Sequence, residues 1–173
     1  NKLTLTFNPP LLAEQAVEIV TSYTLNDPPR GLIWTPESPA WPGRPAQLHT
    51  QGQPQTNSYR FPAHDLPNER LTTEILATVP AGFLVSANGR LASQERVIRR
   101  VTSATGPRLQ PYETFHWVQD KEHVAYLVSF IVGKFDVVDL ASLERESGDK
   151  SSLPLPVYVP PGRAAEVART YRN

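Results

Sequence analysis

The chain has 173 residues, and its 17 Lys and Arg balance its 17 Asp and Glu, so the formal net charge is zero. This is the length of one domain, and the lack of a cationic excess argues against a nucleic-acid partner or an anionic membrane surface. Without Cys there is no disulfide or thiolate site, the compartment stays undetermined, and the nine-residue apolar run 124–132 is too short for a membrane span.

The first two predicted strands, residues 3–7 and 17–25, alternate apolar with polar residues and end at Pro-containing turns. Residues 31–35 form a short apolar piece, and the proline-rich stretch 36–54 is predicted to be an ordered loop around one short strand at residues 47–50. Proline makes up 18 of the 173 residues, which predicts short elements and long ordered loops. Because the chain begins at Asn1 with no Met and no signal-peptide pattern, we expect it to be a piece of a longer protein.

Further strands are predicted over residues 72–79 and 83–86, the latter leading into Asn88-Gly89. Asn-Gly between apolar runs is typical of a two-residue hairpin turn, so a return strand is expected from Leu91 towards Val101. Residues 113–118 and 126–132 are predicted to pair with each other. Residues 135–138 and 155–159 complete the predicted strands.

Only residues 163–171 have the composition of a helix, following Pro160-Pro161-Gly162. The fold class predicted from this pattern is mostly β. A helix that begins so near residue 173 is expected to mark a domain junction.

The chain shows no self-contained catalytic motif. The pair His116 and His123 is a weak candidate for a metal site, and a solvated turn histidine is the simpler interpretation. Arg90, Arg96, Arg99 and Arg100 are interpreted as the solvated edge of a hairpin strand, because alternation sends neighbours to opposite faces.

An ordered set of short segments resembles the N-terminal domain of the zinc aminopeptidases of the aminopeptidase N and leukotriene hydrolase family. The segments are Gly31-Leu32-Ile33-Trp34, His49-Thr50-Gln51-Gly52-Gln53-Pro54, Tyr59-Arg60-Phe61-Pro62-Ala63-His64-Asp65-Leu66-Pro67-Asn68-Glu69-Arg70, Thr78-Val79-Pro80-Ala81-Gly82, Ser86-Ala87-Asn88-Gly89-Arg90-Leu91, Phe115-His116-Trp117, Gln119-Asp120-Lys121, Tyr126-Leu127-Val128-Ser129 and Val132-Gly133-Lys134-Phe135.

The resemblance implies a saddle of packed β-sheets, mixed and antiparallel, that lacks the family domain's first strands. Residues 1–159 would form this partial domain, and residues 160–173 would form a junction helix leading to a catalytic domain beyond Asn173. The resemblance also implies that the catalytic domain holds zinc through a His-Glu-x-x-His motif and acts on peptide substrates. Neither that motif nor the family's Gly-x-Met-Glu-Asn segment occurs in this chain, so no catalytic or metal residue is assigned here.

By the same resemblance, residues 50–53 reach into the active-site cleft. Gln53 stands where the family usually has Glu and would bind the free α-amine of the substrate, with Gln51 bracketing the substrate backbone. Asp65 would support the loop by accepting backbone N–H groups, next to His64. The alternative for both glutamines is an ordinary polar loop.

Three positions depart from the family pattern. Ser58 stands where Arg is common, Arg60 stands at an aromatic position, and Ala63 replaces Cys. These positions support the loop, so the changes put its geometry in question. They also leave open a non-catalytic relative that keeps the domain as a scaffold or protein-interaction surface. A third possibility is an unrelated sugar-binding β-sandwich using Trp34, Trp41 and Trp117.

Overall fold

The computed structural model describes residues 4–139, 143–144, 152–153 and 155–171. Within them the mostly-β prediction is confirmed, and every strand pair is antiparallel. The elements are β1 (Leu32–Thr35), β2 (Gln47–Thr50), β3 (Leu71–Pro80), β4 (Leu84–Ala87), β5 (Arg90–Ser103), β6 (Gly106–His123), β7 (Phe130–Gly133), β8 (Asp136–Asp139), β9 (Leu143–Glu144), β10 (Ser152–Leu153), β11 (Pro156–Val159) and α1 (Ala164–Thr170).

The longest strands form a three-stranded sheet in the order β3-β6-β5. Strands β5 and β6 are joined by a tight turn in which Ser103 pairs with Gly106. The β3 register ends where Pro80 faces Tyr112, and the Ala81 N–H makes a last bond to Pro111 O, so among the described strands residues 106–110 of β6 pair only with β5. Residues 97–111, here called the β5–β6 arm, therefore extend past β3 as a two-stranded ribbon.

A second sheet has four short strands in the order β1-β2-β7-β4. Its central strands meet where Thr50 lies beside Phe130. The Thr50 hydroxyl donates to Phe130 O at 3.2 Å and accepts from the Phe130 N–H at 2.9 Å. These two bonds fix the end of β2 against the start of β7, and the loop that follows β2 starts from this point.

Asn88-Gly89 is not a hairpin turn, and this prediction was wrong. Strand β4 pairs with β7, whereas β5 pairs with β6, so the dipeptide carries the chain from one sheet to the other. Asn88 Oδ1 accepts the Ser129 N–H at 2.6 Å, and Gly89 has a φ of 86°. The same positive φ that suits a hairpin turn serves here to bring the backbone close to Val118.

The predicted pairing of residues 113–118 with 126–132 was also wrong. Strand β6 is bonded on both sides, to β3 and to β5. A short 3-10 helix (Ala125–Leu127) follows it, and β7 then joins the other sheet. Apolar runs specified the strands, but their partners depended on how the chain crosses between sheets.

The two strands predicted near the N-terminus are absent from residues 4–27, and Leu3 lies outside the described residues. Leu5 and Phe7 are 47% and 39% exposed. Alternation yields a strand only when a neighbour supplies ladder hydrogen bonds and a surface to bury, and no described strand pairs with this segment.

Towards the C-terminus, the described residues form the β8–β11 pair and α1. Val167 of α1 is buried, and Gly162 N–H donates to Asp136 Oδ2 at 2.7 Å. The described helix agrees with the predicted helical segment, whereas its role as a domain junction stays a prediction. No helix among the described residues is long and apolar enough to cross a membrane.

Replacing Gly89 by Ala is expected to lower the free energy of unfolding by about 2–4 kcal/mol, from the positive φ and the steric overlap together. A Cβ there would lie 2.0 Å from Val118 O. Urea denaturation measures the loss. Gly82→Ala is the matched control, because Gly82 has a φ of 91° but open space where a Cβ would lie. Equal losses in the two variants would contradict the close approach at Gly89.

Candidate functional site

The loop that follows β2, residues 51–65, starts with a close backbone approach. Gly52 is buried, and a Cβ on it would lie 2.1 Å from Tyr126 O, so only glycine fits. Thr56 closes the first turn of the loop: its N–H donates to Gly52 O at 2.8 Å, and its hydroxyl donates to Gln51 O. The loop is thus pressed against the segment that precedes β7.

The side chain of Asn57 joins the loop to that segment. It is 0% exposed, and its Nδ2 donates to Ala125 O at 2.6 Å and to Val128 O at 2.9 Å. Ala125 begins the 3-10 helix that precedes β7, and Val128 directly follows it; Ala125 O also accepts the Val128 N–H at 3.0 Å. Because an unpaired buried carbonyl costs about 1–3 kcal/mol, the amide replaces water that cannot reach these groups.

Arg60 completes the same cluster from the other side. It is 5% exposed. Its Nε and Nη2 donate to Asn57 Oδ1 at 3.1 and 2.6 Å, and Nη2 also donates to Val128 O at 2.7 Å. The guanidinium lies 5.3 Å from the ring centroids of Phe61 and Phe130. All four groups of this cluster, Asn57, Arg60 and the two carbonyls, are therefore hydrogen-bonded.

Burial lowers the pKa of the Arg60 guanidinium, while Tyr23 and Asp65 act in the opposite direction and raise it. Because the ordinary pKa of Arg lies far above neutral pH, the group stays protonated at pH 7. Arg60 departs from the family pattern, and this change put the geometry of the loop in question. In the structure, the Arg60 guanidinium supports the loop.

Asp65 and His64 lie at the far end of the loop. Asp65 is 8% exposed, and its Oδ2 accepts the Ser58 N–H at 2.9 Å. Its Oδ1 is buried with no hydrogen-bond partner in the described part of the chain. His64 is exposed and its Nε2 contacts Asn68 Oδ1 at 3.2 Å. Asp65 therefore holds the loop's second half against its first turn.

Gln51 and Gln53 are both exposed at the start of the loop. Gln51 Nε2 lies 3.4 Å from Gln53 O, so the two are neighbours, and the Gln53–Pro54 peptide is cis. The Gln53 side-chain amide has no hydrogen-bond partner among the described residues. Both side chains are exposed, with Gln51 Nε2 donating to the Gln53 backbone carbonyl, whereas the backbone that carries them is held by buried groups.

A cavity of about 790 Å³ lies beside the second half of the loop. Its walls are residues 58–64 and the segment that contains Tyr23 and Leu25. A neighbouring apolar cavity of about 390 Å³ shares Arg60 and Phe61 with it. Gln51 and Gln53 line neither of these two cavities.

The structure does not bring together the other candidates. His116 Nε2 lies 3.0 Å from Glu74 Oε2, while His123 contacts Thr73 Oγ1 and Lys121 O. In the described ranges no group of three or more His, Asp or Glu side chains could hold a metal ion. Trp34 and Trp117 lie in different sheets, and Trp41 lies in the loop after β1, where Arg44 covers it at 4.7 Å.

Asn57 was not singled out from the sequence. It lies between Thr56 and Ser58 in a polar stretch, which is typical of a solvated loop. The only local signal is the nearby Arg60, three residues on, and the partners of both are about 68 to 71 residues away along the chain.

No protein-family model matches the chain. It is 27% identical over 157 residues to a human protein, aminopeptidase RNPEPL1, an alignment that covers 89% of this chain and 19% of the relative. Its fold is similar to that of a two-domain M1 zinc metallopeptidase variant bound to L-arginine, with a TM-score of 0.52, 17% identity, and coverage of 87% of this chain and 31% of the other. A structure of a two-domain M1 zinc metallopeptidase variant bound to L-tryptophan matches 79% of this chain and 29% of its own, with a TM-score of 0.46 and 19% identity.

The resemblance to the N-terminal domain of M1 aminopeptidases is therefore confirmed, in part of that domain. The first structural match supports the fold. The chain spans about a fifth of the length of the human relative.

Replacing Arg60 by Met is expected to lower the free energy of unfolding by about 2–4 kcal/mol, because Val128 O loses a charged donor and Asn57 Oδ1 is left buried without one. Urea denaturation measures the change. Arg70→Met is the control, since Arg70 is exposed, and it should change stability by less than about 0.5 kcal/mol. If Arg60→Met were as mild as its control, the cluster would not be the anchor of the loop.

Proposed function

We propose that this chain is the N-terminal, cleft-capping domain of a zinc-dependent aminopeptidase that removes N-terminal residues from peptides. The confirmed resemblance supports the enzyme class, and the similar human protein is named as an aminopeptidase. The observation that carries the finer role is the 51–65 loop, whose base is fixed by Asn57 and Arg60 while Gln51 and Gln53 stay exposed.

The proposed chemistry of Gln53 is recognition of a chain terminus. Its side-chain carbonyl accepts a hydrogen bond from the α-ammonium group of a peptide, and Gln51 contacts the adjacent backbone. An acceptor held at a fixed distance from the scissile bond admits a peptide only by its end, which restricts cleavage to the terminal residue. A neutral Gln accepts this bond with less strength than a carboxylate, by about 1 kcal/mol.

A rigid base matters for this role. A loop that moved by an ångström would no longer set the distance between the terminus and the reacting bond. Gly52 against Tyr126 O, together with the Asn57–Arg60 cluster, fixes the backbone on both sides of Gln53. In this proposal Asn57 and Arg60 are positioning residues and do not touch the substrate.

The described residues do not supply the zinc ligands that such an enzyme needs. In this proposal the zinc and the general base belong to a catalytic domain C-terminal to Asn173. When bound there, zinc supplies an activated water and polarises the scissile carbonyl. The present chain contributes the binding and alignment of the peptide terminus.

A second candidate is a non-catalytic relative that keeps the domain as a scaffold. The absence of a carboxylate at Gln53 favours it, because the α-amine then loses a charged partner. Zinc content and hydrolysis of aminoacyl-coumarin amides by the full-length protein separate the two candidates. If the protein contains zinc and hydrolyses the substrate, the enzyme is supported. If it has no zinc and no hydrolytic activity, the scaffold is supported.

Replacing Gln53 by Glu in the full-length protein is expected to lower the KM for aminoacyl-coumarin amides about fivefold, because the α-ammonium gains a charged acceptor. Steady-state kinetics over a substrate series measures the change. Gln55→Glu is the matched control, since it adds the same charge to an exposed position of the same loop and should leave KM unchanged. An unchanged KM in a folded Gln53→Glu variant would count against the role of Gln53.

A further inference from the structure

The β5–β6 arm presents an open strand edge. Strand β5 is the outer strand of its sheet, and among the described strands it pairs only with β6. Along an edge strand every second residue points its N–H and C=O away from the sheet, so β5 offers a row of backbone donors and acceptors. Its residues are mostly exposed, including Ile98, which is 61% exposed.

The other edge of the arm is closed by its sequence. Beyond β3, residues 106–110 of β6 have no second neighbour among the described strands. Pro107 lies at the start of this stretch, and Pro111 follows its end, where its carbonyl accepts the Ala81 N–H at 3.0 Å. Proline has no N–H to donate, so it blocks the addition of a strand. Strand β5 contains no proline, and the two edges of the same arm therefore differ in what they can bind.

The arm is also basic, in a chain whose total charge is zero. Residues 97–111 contain three Arg and no Asp or Glu, and Arg96 directly precedes them. Arg96 lies 3.5 Å from Glu113, whereas Arg100 has no ion-pair partner in the described part of the chain. The cationic groups are concentrated on β5, which carries Arg96, Arg99 and Arg100.

Alternation along β5 gives each face its own pattern. Arg96, Ile98 and Arg100 lie on one face, while Val97, Arg99 and Val101 lie on the other. A flat anionic surface could approach one face at a time and would meet only that face's arginines. A strand added beside β5 lies in the plane of the sheet, and its alternating side chains meet the arginines of both faces.

We propose that the free edge of β5 binds an extended acidic segment of a partner protein, which is added to the sheet as a further strand. The carboxylates of this segment pair with Arg96, Arg99 and Arg100, and its apolar side chains cover Ile98 and its neighbours. A second copy of this chain is a poor occupant, because two β5 edges side by side would place arginines opposite arginines. This inference is independent of the proposed peptidase role.

Fluorescence anisotropy of the full-length protein tests the proposal with a labelled peptide of about eight residues. The peptide Glu-Val-Val-Glu-Glu-Val-Val-Glu complements the pattern of both faces. A peptide with Lys in place of Glu controls for charge. A version in which alternate amides are N-methylated controls for strand addition, because it lacks the N–H donors that would face β5.

We expect the acidic peptide to bind, and Arg100→Glu to weaken its binding about tenfold. Arg100→Gln, which keeps a polar side chain, should cause a smaller loss. Arg108→Glu is the matched control: it makes the same charge change on β6, about 10 Å from the added strand, where salt screens the interaction. Circular dichroism verifies that each variant is folded.

Four results would overturn the proposal: no binding of the acidic peptide, equal binding of the N-methylated or lysine peptide, equal losses in Arg108→Glu and Arg100→Glu, or preferential binding to phosphatidylserine vesicles. The last result would assign the arm to a membrane surface instead of a protein segment.

Discussion

The buried pairing of the Asn57 amide with the Arg60 guanidinium is the interaction on which the loop after β2 depends, because it joins that loop to the segment before β7. The buried apolar residues in the described part of the chain are few. Val128 is one of them, and its carbonyl accepts hydrogen bonds from both of these side chains. The cluster therefore ties the loop after β2 to the segment before β7, while the Thr50–Phe130 contacts fix the same two elements from the sheet side. A polar anchor of this kind is demanding, because each group is costly if its partner is removed. It also limits the loop to one geometry, which the proposed recognition of a peptide terminus needs.

Local patterns predicted most of the strands but not their partners. The strands near residues 72–79 and 155–159 follow from alternating or apolar runs with turn residues at their ends, and the helix near residue 164 follows from its composition. The Asn88-Gly89 dipeptide shows why pairing could not be predicted. Its positive φ serves both a hairpin turn and a crossing between sheets, and only the close packing of Gly89 on Val118 O decides between them. The segment 17–25 shows the opposite failure: its alternation is strand-like, yet it remains outside the sheets because no described strand pairs with it.

The candidate site was predictable only as far as the resemblance reached. Gln51 and Gln53 were found because their segment resembles a family motif, and nothing in their own chemistry distinguishes them from polar loop residues. Asn57 had no local signal except Arg60 three residues on. Its other partners, near residues 125 and 128, are distant in sequence, and a backbone carbonyl cannot be recognised from residue type. Arg60 carried a misleading signal. A cation at an aromatic position suggested a weakened loop, but a guanidinium is flat enough to lie near two phenyl rings while its edge serves two acceptors.

The binding properties of the surface depend on the local arrangement of charges more than on the average composition of the chain. A net charge of zero argues against a partner that needs a strong long-range field, such as a nucleic acid, and that argument concerns the whole chain. It does not apply to an edge strand, where a few residues in a fixed register are enough. On the β5–β6 arm, prolines close one edge and arginines line the other, so that self-association is disfavoured at both. Arginines repel only like charges, however, whereas prolines block every strand. An edge protected by charge alone can still pair with a segment of the opposite charge. The β5 edge therefore disfavours basic strands and accepts acidic ones.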